Sequence, residues 1–146
     1  MKRLMASFRL LSSTFAMSLA AAPAWAQSAP APALSLELNA AQPSEKGCRL
    51  TFVVNNALGA DLSKAAFEIA LFNEAGVVDR LTVLDFKDLP AGKTKVTRFD
   101  LAGADCGKLS RVLINSATEC AGTGVEPAAC MRVLKTATRT SIAFGV

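Results

Sequence analysis

The side chains best suited to chemistry are four cysteines, Cys48, Cys106, Cys120 and Cys130, and five aspartates, Asp79, Asp85, Asp88, Asp100 and Asp105. Histidine is absent from the chain. That removes serine and cysteine catalytic dyads and triads that rely on imidazole, and the usual zinc sites. No G-x-G-x-x-G, P-loop or G-x-S-x-G pattern occurs. The cysteines form no C-x-x-C pair and have no imidazole to lower a thiol pKa, so they read as crosslinks rather than exchange catalysts. Met131 is the one methionine after the first 26 residues, a poor provision for copper, and no metal or cofactor is expected. Two aspartates could serve a glycosidase, but these five fall near strand ends and turns, where solvated acids are ordinary.

The compartment that would oxidise the cysteines is written at the N-terminus. Lys2, Arg3 and Arg9 precede an uncharged apolar stretch from Leu10 to Ala22, and Ala24 and Ala26 present small residues before Gln27. Residues 1–26 thus read as a helical Sec-type signal peptide, cleaved between Ala26 and Gln27. No Arg-Arg pair marks twin-arginine export, and no cysteine follows the apolar stretch to carry a lipid anchor. The leader holds three of the 16 basic residues and none of the 12 acidic ones, leaving 13 against 12, a net charge of +1. The basic balance of the whole chain is therefore no sign of a nucleic-acid partner, which needs a clustered basic face. The expected location is periplasmic, with no membrane anchor after cleavage.

The elements that must hold the cysteines read as strands. Residues 27–33 are a Pro/Ala linker with little reason to order. Short apolar runs then alternate with turn signals, as in an all-β sandwich. Seven strands are expected, at 34–39, 48–55, 65–73, 77–86, 94–101, 110–116 and 133–144. Val77 to Phe86 is apolar on both faces in its second half, as in a central or bent strand. Lys95 and Thr97 share a face with Phe99 and Leu101, which suggests a bulge or a crossing between sheets. Glu74-Ala75-Gly76 and Leu89-Pro90-Ala91-Gly92 supply turn chemistry. Asp61 to Asn73 also fits helical spacing, but its neighbours favour a strand.

If successive strands alternate in direction, Cys48 and Cys106 lie at one end of the sandwich and Cys120 and Cys130 at the other. Disulfide geometry needs Cα atoms within about 7 Å, whereas a strand is roughly 20 Å long. The pairing is therefore Cys48–Cys106 and Cys120–Cys130. In the chain-entropy model the longer loop contributes about 4 kcal/mol and the shorter about 3 kcal/mol. The second bridge also clips residues 120–130 into an excursion between strands, a place where sandwich domains often bind partners.

The stretches LSLELNAAQPSEKGCRLTFVVNNALGADL, EAGVVDRL, LPAGK and CGKLSRVLIN resemble an uncharacterised family of exported alphaproteobacterial proteins often labelled "Tat pathway signal sequence domain protein". The resemblance spans Leu34 to Asn115 and implies an exported domain with no assigned activity or ligand. The LTFVVNN segment followed by LPAGK is also similar to bacterial immunoglobulin-like modules, which implies shape alone. The chain is thus expected to be an immunoglobulin-like antiparallel sandwich over 34–146. Its expected role is a non-catalytic periplasmic binding or envelope-assembly module with an envelope protein as partner. A carboxylate-based hydrolase of envelope glycans, or a protease inhibitor presenting the 120–130 loop, is the alternative.

Overall fold

The structure, a computed structural model, describes residues 28–146; the expected signal peptide and the cleavage residues Ala24, Ala26 and Gln27 lie outside them. Ser28 to Pro32 are exposed and lack regular secondary structure, and the first strand begins at Ala33, one residue into the expected linker. Eight strands follow: β1 Ala33–Ser44, β2 Gly47–Ala57, β3 Leu62–Asn73, β4 Val78–Leu89, β5 Thr94–Ala102, β6 Leu109–Ala121, β7 Leu134–Thr138 and β8 Ala143–Gly145. The remaining regular pieces are a 3-10 turn, Cys106–Lys108, and the helical turn α1, Ala129–Arg132. The strands form two four-stranded sheets, β5-β2-β1-β7 and β4-β3-β6-β8.

Period-two alternation decides which side chains enter the space between the sheets. Leu34, Leu36 and Leu38 of β1 and Leu50, Phe52 and Val54 of β2 face Phe67, Ile69 and Leu71 of β3 and Val112 and Ile114 of β6, and all are buried. Phe52 stands at the centre, with ring centroids 5.6 Å from Phe86, 6.0 Å from Phe99 and 5.5 Å from Phe144, so rings from both sheets interlock edge to face. Burying such a ring is worth about 1.5–3 kcal/mol over leaving it exposed.

Residues 62–73 form a strand, with Phe67, Ile69 and Leu71 inward. The expected last strand, 133–144, is two strands instead. Thr138 and Thr140 spend their hydroxyls locally: the Thr140 and Ile142 amides donate to Thr138 Oγ1 and Thr140 Oγ1, both at 3.1 Å. These bonds turn the chain after Thr138, and buried Ile142 anchors its return. β7 pairs parallel to β1 and β8 parallel to β6, so the sandwich has eight strands in two mixed sheets, not seven antiparallel ones.

The other expectations that fail concern the side of the sandwich bounded by β4 and β5. β5 pairs with β2 in one unbroken register from Gly47↔Ala102 to Asn55↔Thr94, with no bulge. Of the two polar residues on its inner face, Thr97 leaves its hydroxyl buried without a partner, whereas Lys95 has another purpose. Lys95 Nζ donates to the carbonyls of Asp88 at 2.8 Å and Phe86 at 3.4 Å, closing the gap between the two sheet edges. β4 is bent, as expected, but it is an edge strand rather than a central one. The bend lies at Lys87, whose φ of 63° is left-handed, and Asp85 holds it by accepting from the Lys87 amide at 2.9 Å.

Candidate functional site

The four cysteines join as Cys48–Cys106 and Cys120–Cys130, with Cα separations of 5.0 and 5.9 Å. The first ties β2 to the segment leading into β6, and so ties the two sheets together. The second ties the end of β6 to α1. Two disulfides with no free cysteine among the described residues point to an oxidising, extracytoplasmic setting. No helix of the described residues is long and apolar enough to cross a membrane.

The five aspartates are dispersed and individually engaged. Asp79 pairs with Arg80, Asp85 with Lys87 and Asp88 with Lys95. Asp100 takes two bonds from Arg49, at 3.0 and 3.2 Å, and Asp105 caps the 3-10 turn through the Gly107 amide. The Lys87 ammonium beside Asp85, and the Arg49 guanidinium beside Asp100, hold those two carboxyls below the usual carboxylate range.

The clipped loop folds back onto the end of the sandwich. The Cα of Gly122 lies so close to the Asp61 carbonyl that a side chain there would collide with it. Arg132 pairs with Glu126 at 2.9 Å across the loop, and its last residues coil into α1. With Leu58, Ala60 and Val125 the loop lines a shallow depression of about 270 Å³. The residue that organises this end was not singled out in the sequence. Asn56 is 1% exposed; its amide donates to the carbonyls of Ala60 at 2.9 Å and Leu89 at 2.7 Å, and its side-chain oxygen accepts from the Leu58 amide at 3.0 Å. Asp61 accepts from the Ala91 amide at 2.7 Å. The signal was present: Asn56 continues the inward series Leu50, Phe52, Val54, and an amide in a core position must be hydrogen-bonded.

The most distinctive surface was also not foreseen. Leu81 and Val83 of β4 point away from the core and are 57% and 51% exposed, with Val77 and Val78 just before them also exposed. Cross-strand register sets the rest of this outer face in rows. Val78, Phe72 and Arg111 make one row, Leu81, Ala70 and Leu113 the next, Val83, Glu68 and Ser116 the third, and Asp85, Ala66 and Glu119 the last. Arg111 lies over the Phe72 ring at 5.7 Å. Ala66 and Ala70 are buried, yet neither belongs to the core between the sheets; larger neighbours on β4 and β6 stand around them. The face is therefore a largely apolar strip across β4, β3 and β6, with Leu81 and Val83 exposed on one side and Leu113 on the other.

No protein-family model matches the chain, and no curated protein matches it. Among solved structures it is similar to the Salmonella enterica trimeric lipoprotein SadB, at 18% identity and a TM-score of 0.42. The match covers 48% of this chain and 40% of that one, so the chain spans under half the length of that structure.

Proposed function

We propose that the protein is a non-catalytic module of the periplasm that binds another envelope protein, or helps assemble one, through the outer face of β4, β3 and β6. The observation that carries this reading is the apolar stripe of Val78, Leu81 and Val83, continued by Phe72 and Leu113. Contiguous apolar surface on a soluble domain marks an interaction site, whereas single apolar residues do not. The disulfides and the expected leader support the compartment. The aspartates favour binding over glycan hydrolysis: a general acid needs a raised pKa, and the shifted aspartates, Asp85 and Asp100, are held low.

The test is co-purification from solubilised envelopes with the doubly substituted Leu81→Asp/Val83→Asp protein beside the wild type. A partner retained by the wild type and lost from the variant, with both proteins folded, is the expected outcome. Equal retention by both proteins removes the face from the account.

A further inference from the structure

One charged group sits within the apolar strip. Glu68 lies on β3 with Val83 beside it in register on β4, Ser116 on β6, and the buried methyls of Ala66 and Ala70 two residues away on either side. The ladder between β3 and β6 shifts between Glu68 and Ile69. The shift brings the Asn115 amide onto the Glu68 carboxylate, donating to Oε1 at 2.6 Å. Asn115 supplies a hydrogen bond but no charge. Every other carboxylate on this face has a cation: Asp85 has Lys87 and Glu119 has Lys64. Glu68 takes part in none of the ion pairs found among the described residues. Arg111 lies two rows away, over Phe72.

This places a constraint on whatever covers the face. A purely apolar occupant would strip water from Glu68 and offer nothing in return, and an uncompensated buried carboxylate costs several kcal/mol. A cation brought by the occupant removes that cost. The area also discriminates. Three strands spaced about 4.8 Å apart and four rows of about 7 Å cover roughly 400 Å², well under the roughly 800 Å² per partner of a standard stable interface. A second copy docked face to face would be undersized and would bring a second Glu68 into the same small area. An area of that size suits a single extended segment.

We propose, building on the binding face argued above, that the strip across β4, β3 and β6 takes an extended segment of a partner protein carrying a lysine or arginine between apolar side chains, with Glu68 as its counter-ion. Leu81, Val83 and Leu113 receive the apolar side chains.

The experiment is selection of random peptides displayed on phage against the purified, disulfide-bonded protein, with recovered peptides synthesised and their affinities measured. The expected peptides carry Lys or Arg flanked by apolar residues. Their affinity should fall about tenfold or more for Glu68→Gln, which retains the shape and an acceptor for Asn115, and should vanish for Leu81→Asp. Thermal unfolding of both variants checks that they fold. Apolar peptides without a basic residue, bound equally by Glu68→Gln, would overturn the counter-ion and leave the face standing. Peptides indifferent to Leu81→Asp, or no enrichment at all, would remove the face and the inference together. Dimerisation in sedimentation that Leu81→Asp abolishes would assign the face to a second copy and contradict the proposal.

Discussion

The outer faces of the two sheets have been given opposite surfaces. On β5-β2-β1-β7 the outer face is polar, and several of its side chains pair with one another. Arg49 takes Asp100 in two bonds, Glu37 accepts from Asn39 and Arg139, and Asn55 donates to Thr94. Val96 is exposed there, but Thr51, Arg98, Asn55 and Thr94 surround it and its partner Val53. On β4-β3-β6 apolar side chains run continuously across three strands and enclose a carboxylate without a cation. Both sheets contribute alike to the core, so burial within the domain does not account for the contrast. A polar face needs only water, whereas on the reading proposed above the apolar one takes a partner.

The comparison requires two sheets held as one body, and its largest break is at the bridge between them. Replacing Cys48 and Cys106 with alanine should cost about 4 kcal/mol, read as a lower denaturation midpoint. Replacing Cys120 and Cys130 should cost less, about 3 kcal/mol, because its loop is shorter. An equal loss from both pairs would show that the bridge between the sheets has no special weight. The next largest effect is expected at Asn56. Truncation to alanine removes the donor to the buried Leu89 carbonyl and the partly buried Ala60 carbonyl and should cost about 2–3 kcal/mol, while Asn55→Ala, on the outer face, should change stability little.

Substitution of the faces themselves sharpens the contrast. Leu81→Asp should leave stability within about 0.5 kcal/mol, since that side chain already meets water. Val83→Asp should cost more, because it sets a carboxylate beside Glu68, yet both should weaken partner binding tenfold or more. Val96→Asp, on the opposite face, should alter neither. The smallest effect is electrostatic. Asp85, Asp100 and Glu37 are held below their usual range, Asp85 and Asp100 chiefly by a hydrogen-bonded cation and Glu37 chiefly by Asn39. A depressed carboxyl contributes stability above its unfolded pKa and loses it as pH falls through the folded one. The melting temperature should therefore hold from about pH 7 to pH 5 and decline below about pH 4. Arg49→Met should flatten part of that decline; an unchanged acid profile would mean the Arg49–Asp100 pair adds nothing.

Much of the architecture was legible because it follows from local alternation. Leu34, Leu36 and Leu38, like Leu50, Phe52 and Val54, can face one core only if the segments are strands, and strand direction then fixes which cysteines can meet. The final strand was misread because Thr136, Thr138 and Thr140 suit a strand by propensity, while the hydroxyls of the last two also bond nearby backbone and break it. The exposed apolar face was not foreseen for a different reason. The second half of Val77 to Phe86 is apolar on both faces whether the second face meets another layer or meets water, and periodicity cannot separate these cases. Only the placement of β4 at a sheet edge does. Glu68 was equally silent, because a lone acid on a strand looks solvated until its neighbours across β4 and β6 are known.

The most direct test places a photoreactive amino acid at position 83, and separately at position 96, in the protein expressed in its own cells. Irradiation should join a partner to position 83 and not to position 96. Adducts at both positions alike, or at position 96 alone, would contradict the proposed division of the molecule into one polar, solvated face and one that takes a partner.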